Sequence, residues 1–575
     1  MEQRIIIFLV LSLTIIIGYD FLLKEFGLLP EPVPVEEQQF QQPDGQASSN
    51  EFVGHDSIEP IETISETRDI ISSTETLEEV ETSLYRTSIS NRGAEIRSWK
   101  LTHYLTQDTD EPEPIEFIYP EGHFSGPLSV QVSNPAVTKL LETALYEVSR
   151  DFDSLSSIYP TGTVTFTFRD EETGIAVQKE LTFHHDSYLV DVVIRTEGLE
   201  GGVDVLLGTN FGVVEWGQGF IGAIGPAWMI GEELEKESPD PEIRKSGDMR
   251  WAALQDKYFI SVMIPEAARG VFAKTEMERV VTAGLEFPPS SEEPRIVFQL
   301  YAGPKQFDAM KALGYGLEDT IDFGWFIYDT WDIVRFVAKP LFFVLLFFYD
   351  YTNNFGIAII LLTVCIKLLF VPLQYKSYKS MQGMQKIQPK VQALQKKFKE
   401  DRERLNRELI KLYKEHKVNP VGGCLPMLLQ MPAFISLFNI LYMTVDLRQA
   451  PFMLWITDLS VPDPFYVLPI LMGVSMVLQQ KIMPTTMDPT QAKMMLMLPV
   501  FLTFLFLTFP AGLVLYWLTN NVLTITQQFV TDRFILKKPT FTQPPPDPPD
   551  AIAEPKDDQK GSKKKKGKGK EKESE

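Results

Sequence analysis

The stretch that most constrains this chain is 356–372, GIAIILLTVCIKLLFVP, an apolar run long enough to cross a bilayer that carries one cation, Lys367, and no anion. A lysine near the middle of a span costs roughly 2.5–3.5 kcal/mol on insertion scales, so it faces a partner, a protein interior or a water-filled cavity. The other apolar runs, 5–23, 423–445, 465–480, 494–509 and 511–529, contain no acidic residue except Asp20, near the outer end of the first. Any counter-charge for Lys367 is therefore expected from another molecule.

The charge distribution fits a membrane protein with a large aqueous part. The 575-residue chain has a net charge of −23, yet its acids concentrate before residue 330 and its Lys and Arg after residue 370 and in the tail. Such asymmetry marks two sides of a membrane rather than one soluble surface. Both cysteines, Cys365 and Cys424, lie in or beside predicted spans, which leaves the large polar region without a disulfide.

Residues 1–24 begin with a short basic stretch ending at Arg4 and continue as an apolar run with no small-x-small cleavage pattern after it, so they read as an uncleaved signal anchor with a cytoplasmic N-terminus. Residues 25–83 are rich in Glu, Gln, Pro, Ser and Thr and are expected to be a disordered acidic tether. Residues 84–318 form the next domain, and over about 84–304 the pattern has period two. Val164, Phe166 and Phe168 share one face, and the return through Gly174 leads to alternating Tyr188, Val190, Val192 and Ile194, which predicts a hairpin feeding a third strand in a large β-sandwich. The motif 217–222, GQGFIG, fits the dinucleotide fingerprint, but Gly225 and Pro226 follow at once within an all-β pattern, so it reads as a glycine-rich loop. His184 and His185 point to opposite faces of a strand and do not form a shared metal site.

A short amphipathic helix at 305–317 is expected to close the domain. Residues 319–354 follow; their unbroken apolar part, 340–349, is too short to span, and an interfacial helix fits them best. The second span is placed at 355–373. Residues 374–420 are strongly basic and are assigned to the cytoplasm as a helical hairpin, with Met381, Met384, Ile387 and Val391 on one helix and Leu405, Leu409, Leu412 and Tyr413 on the other. Residues 421–530 supply spans three to six, because 494–529 is too long for one crossing and breaks at 509–512, FPAG. Each half of that run is slightly short for a bilayer, which implies local thinning. The basic tail, 531–575, then falls inside with both termini cytoplasmic. The fold class is a multi-domain one: a polytopic α-helical membrane bundle of six spans joined to an all-β domain outside.

The series NPVGGCLPMLLQMP (419–432), LRQAPFMLWITDLS (447–460), DPFYVLPILMG (463–473) and FPAGLVLYWLTNN (509–521) resembles the YidC/Oxa/Alb family of bacterial inner-membrane protein insertases over about residues 320–535. The long outer domain after one anchor is similar to the Gram-negative form, whose periplasmic domain is a β-supersandwich. The resemblance implies five of the six spans enclosing a hydrophilic groove, open to cytoplasm and lipid, with one cation. That cation is usually an Arg five residues before the Pro of its span, and Lys367 stands there relative to Pro372 with its charge but without the planar fork.

On this resemblance the groove would offer Lys367 with the polar side chains of Thr363, Gln430 and Asn520, and Met427, Met431, Phe434, Phe506, Tyr516 and Trp517 would meet the client. It implies a non-enzymatic insertase and chaperone that needs no cofactor. Its partners would be nascent integral membrane proteins, membrane lipids, the Sec translocon (SecYEG, SecDF) and the ribosome through the hairpin and tail. Blander readings stand beside it: Lys367 could snorkel to the cytoplasmic side, Gln430 and Asn520 could join helices, and the Met and Phe residues could be packing. A secondary transporter using Lys367 as a coupling site is the alternative class, although no internal repeat supports it. A carbohydrate enzyme on an anchor would leave the spans and basic hairpin without a role.

Overall fold

The computed structural model describes residues 74–106, 111–119, 124–214, 224–237, 239–288, 295–323, 325–326, 329–330, 332–398, 401–416, 418, 425–482, 497–531 and 533. The expected signal anchor, residues 25–73 of the tether, the glycine motif at 217–222 and all but the first residues of the basic tail lie outside the described residues.

Alternation builds the β part. In Ile175–His184 every second side chain is buried. The strand pairs antiparallel with Thr161–Asp170 on one side and Leu189–Glu197 on the other, Thr161 opposite His184 and Phe183 opposite Val190, which is the expected hairpin and third strand. These three belong to a nine-stranded sheet with spatial order Glu233–Glu235, Gly225–Ile230, Met249–Gln255, Phe259–Pro265, Arg295–Pro304, Leu189–Glu197, Ile175–His184, Thr161–Asp170 and Glu147–Arg150. A five-stranded sheet centred on Val280–Phe287 and a four-stranded sheet containing Tyr85–Ser90 and Glu95–Leu105 share one core with it. Trp99 stacks on Tyr85 at 4.0 Å, and its indole N–H donates to the Ala302 carbonyl at 3.2 Å, tying the four-stranded sheet to the nine-stranded one. Helix α1 (Pro135–Thr143), capped by Asn134, packs on the Val130–Val132 edge of the five-stranded sheet.

The tether ends earlier than its composition indicates. Leu77–Glu81, inside the segment expected to be disordered through residue 83, is a strand paired antiparallel with Tyr85–Ser90. Backbone pairing and one buried anchor, Val80, hold this edge strand, and neither shows in an acidic composition.

The same alternation puts a lysine in the core. Lys179 lies between Val177 and Leu181 on the buried face of its strand, and its Nζ donates to the carbonyls of Gly93 at 2.7 Å, Ala94 at 3.2 Å and Leu128 at 2.7 Å. All three acceptor residues have left-handed backbone, φ 69°, 49° and 73° respectively. For Ala and Leu that conformation costs about 1–2 kcal/mol each, which charge-assisted bonds to a shared ammonium offset. Burial lowers the Lys179 pKa to about 8, opposed by the charge of nearby Glu95, whose own carboxyl is raised by burial. Lys179→Met should destabilise the sandwich by about 3 kcal/mol by orphaning these carbonyls. The readout is the denaturation midpoint; an unchanged midpoint would mean that the loops hold without the ammonium.

Phe259–Pro265 is apolar without alternation because both of its faces are covered. Phe259 and Met263 enter the sandwich core, while Ile260, Val262 and Ile264 join a second core with Trp251, Phe307 and Leu317. Helix α2 (Phe307–Ala312) and the 3-10 turn Leu317–Thr320 supply that cover, shorter and more broken than the single helix expected over 305–317. Helix α3 (Asp332–Thr352) continues the same core with Ala338, Phe342 and Leu345, and exposes Phe336 and Phe347 on its other side.

Helix α4 (Phe355–Lys397) runs 43 residues, with Pro372 and Pro389 inside it. The boundary expected at 373/374 therefore falls within a continuous helix: the apolar segment and the first arm of the basic hairpin are one element. Prolines within a helix remove hydrogen bonds and bend it, but the flanking residues hold the helix through them. Helix α5 (Arg402–Glu415), capped by Asp401, folds back so that Leu412 meets Ile387 and Val391. Helices α6 (Leu425–Met443), α7 (Val467–Ile482), α8 (Met497–Leu505, ending in a 3-10 turn at Phe506–Thr508) and α9 (Ala511–Val530) complete the bundle.

The expected break at Phe509–Pro510 separates the last two helices. The first N–H groups of α9 are satisfied by the loop between α6 and α7, Ala511 donating to Val461 at 2.7 Å and Gly512 to Leu459 at 2.9 Å. Helix α9 packs between α4 and α7, α3 packs on α4 and α6, and α8 on α7. The α7–α8 contact is close: a Cβ at Gly473 would lie 2.0 Å from Thr503 Oγ1. Among the described residues one helical stretch, Phe355–Met384, is long and apolar enough to cross a membrane, and Gln430–Met443, Val467–Ile482 and Met497–Thr508 are shorter apolar stretches.

The sandwich is pinned to the end of α6. The turn after that helix, Val445–Leu447, buries Val445 in the sandwich core. Arg448 donates to the Leu105 carbonyl at 3.0 Å and lies 5.5 Å from the ring centres of both Tyr258 and Phe259. Lys257 reaches back to sit 3.7 Å over Tyr442 of α6. A weakly hydrated guanidinium suits such a seam between aromatic rings. Arg448→Ala should weaken it by about 1–2 kcal/mol and speed limited proteolysis where sandwich and bundle meet; an unchanged cleavage rate would locate the pin elsewhere.

Candidate functional site

Helix α4 starts where Asn354 caps it: the Asn354 side chain accepts from Ile357 N–H and donates to the Phe452 carbonyl. The helix carries Lys367 into the bundle, where that residue is 7% exposed. Its Nζ donates to Thr524 Oγ1 of α9 at 2.7 Å, and Thr524 Oγ1 donates in turn to the Asn520 carbonyl at 2.6 Å. Among the described residues no carboxylate pairs with Lys367. An ammonium has three N–H donors, and the bond to Thr524 uses one.

The other expected polar residues come from three helices. Thr363, one turn before Lys367 on α4, is buried and donates to its own helix at the Ile359 carbonyl, 2.6 Å away. Asn520 on α9 and Gln430 on α6 are half-buried. Helix α6 touches both α4 and α9, so these elements meet around one region of the bundle.

The apolar set divides. The Met427 side chain lies outside the described residues, and Met431 is exposed. Phe434 meets Trp517 edge-on at 4.9 Å and Tyr516 at 6.1 Å, while Phe506 meets Trp517 at 4.8 Å. Phe506 and Tyr516 are buried, so these rings form an aromatic knot between α6, α9 and the turn after α8, where edge and offset contacts reward ring against ring. Of the described apolar residues on which client contact was expected, Met431 is the one counted as exposed.

Reading the residues alone missed Thr524. It also missed two neighbours: Asn521 donates to Ser475 Oγ at 3.0 Å and Gln528 to the Ile482 carbonyl at 2.8 Å, both on α7. Asn521, Thr524 and Gln528 recur at helical spacing inside an apolar run, and that stripe was the available signal. Asn521→Ala should cost about 0.6–1.7 kcal/mol of bundle stability, measured as a lower melting temperature in detergent; no change would make the α7–α9 bond incidental.

Among the described residues no group of His, Cys, Asp and Glu is placed to hold a metal. His184 pairs with Asp191 at 2.7 Å while His185 faces Asp186 at 3.6 Å, so the adjacent histidines have separate partners.

A large antiparallel sandwich is fixed to an apolar helical bundle, and an ammonium is buried between two helices of that bundle. Residues 78–344 match the family described as YidC periplasmic domain, and residues 347–538 the family described as 60Kd inner membrane protein. The membrane protein insertase YidC of Geotalea daltonii is 38% identical over 551 residues, covering 92% of this chain and 98% of that relative. That of Geotalea uraniireducens is 38% identical over 558 residues, with the same two coverages. A solved structure of an active YidC insertase with its first transmembrane domain is 20% identical, covers 80% of this chain and 93% of its own, and has a TM-score of 0.34. The chain belongs to the YidC family of membrane protein insertases, a family of non-enzymatic proteins.

Proposed function

We propose that this protein inserts nascent integral membrane proteins into the bacterial inner membrane, using Lys367 to draw a client's acidic tail into the bundle. The observation that carries this reading is the Lys367 ammonium, buried between α4 and α9, with a single hydroxyl acceptor and no carboxylate among the described residues. An acidic tail is costly in hydrocarbon; meeting a pre-paid cation and nearby polar groups lowers that barrier. Client hydrophobicity and the membrane potential supply the drive. In this reading six spans leave both termini in the cytoplasm and the sandwich in the periplasm, and α3 lies at the membrane interface. The short apolar helices fit a locally thinned bilayer. The α4–α5 hairpin and the basic tail offer cationic surface to ribosome or lipid, and the Sec translocon is the natural partner for longer clients.

Lys367→Ala should slow insertion of clients with acidic outer tails by about tenfold, the factor that loss of about 1.4 kcal/mol produces, and affect neutral-tailed clients less than twofold. Proteoliposome insertion with paired clients measures this, and equal losses for both would make Lys367 a structural residue. Lys367→Arg should be tolerated, because both side chains carry the charge.

A further inference from the structure

We infer that Thr524 is the positioning residue that aims the Lys367 ammonium, an assignment that rests on the groove reading above. A lysine side chain has four rotatable carbons, and a buried one that is free to swing would snorkel toward the nearest water. Three observations together oppose that here. Lys367 is buried, so its alkyl stem is packed rather than solvated. Its Nζ crosses from α4 to α9 to meet Thr524 Oγ1 at 2.7 Å. Thr524 cannot rotate away, because its own hydroxyl proton is committed to the Asn520 carbonyl one turn earlier, at 2.6 Å.

The direction of these bonds gives the device its use. Thr524 donates down its own helix and accepts from the lysine, so the hydroxyl presents a fixed lone pair and stays neutral. A carboxylate in this place would neutralise the ammonium and remove its attraction for a client; a hydroxyl locates the charge without cancelling it. One N–H is used for anchoring, and among the described residues the other two have no acceptor, which leaves them for an acidic group of the client or for water. Asn521 and Gln528 on the same helix bond to α7, so the helix that holds Thr524 is itself secured to a second neighbour. The specificity of the site for acidic tails thus depends on an uncharged residue one helix away from the charge.

The experiment compares Thr524→Val, which keeps the shape and removes the acceptor, with Thr524→Ser, which keeps the hydroxyl, in the full chain reconstituted in proteoliposomes. Paired clients that differ only in acidic or neutral outer tails are inserted by each variant. Thr524→Val is expected to slow the acidic-tailed client about fivefold to tenfold and the neutral-tailed one less than twofold, Thr524→Ser to restore the rate, and Lys367→Ala with Thr524→Val to be no worse than Lys367→Ala alone. If Lys367→Ala discriminates between the clients and Thr524→Val does not, or if Thr524→Ser fails as badly as Thr524→Val, the Thr524 assignment is overturned while the groove reading stands. If Lys367→Ala slows both clients alike, the groove reading itself is overturned.

Discussion

The cost of placing an ammonium in apolar surroundings organises both halves of this protein. Desolvating a charge is expensive unless fixed dipoles replace the lost water. Lys179 solves the problem completely: three carbonyls, each aimed by left-handed backbone, take all three of its N–H donors, and nothing remains for a ligand. Lys367 solves it in part, with one hydroxyl. Among the described residues, the same residue type has three carbonyl acceptors in the sandwich and one hydroxyl acceptor in the bundle.

Around Lys367 the bundle is built from neutral polar contacts. Thr524 reaches α4 while Asn521 and Gln528 reach α7, so one stripe of α9 bonds two neighbouring helices, and the aromatic knot of Phe434, Phe506, Tyr516 and Trp517 closes the region between α6 and α9. The Arg448 seam then fixes the sandwich against the end of α6. The two folded parts share a packed core through the second face of the nine-stranded sheet, so the sandwich is a seated element rather than a bead on a string.

Much of this was legible in the sequence, for identifiable reasons. Period-two alternation announced the strands around Gly174, and an overlong apolar run announced the break at Phe509–Pro510. The hairpin core of Ile387, Val391 and Leu412 followed from helical spacing. What stayed hidden depends on neighbours far along the chain. A lysine at a core position of IAVQKELTFH is unreadable without the carbonyls of 93, 94 and 128, and Thr524 looked like one more small residue in an apolar helix. The strand at Leu77–Glu81 escaped because backbone pairing leaves no mark on an acidic composition. The continuity of α4 escaped because a change from apolar to basic residues resembles a boundary, although helix geometry is indifferent to it.

That continuity has a mechanical meaning. A helix of this length extends about 64 Å, roughly twice the hydrocarbon thickness of a membrane, so the hairpin and the buried lysine are two stations on one stiff shaft rather than two modules joined by a hinge loop. In a helix a tilt at one end is felt at the other, and Pro372 and Pro389 interrupt the hydrogen-bond ladder between the hairpin and Lys367.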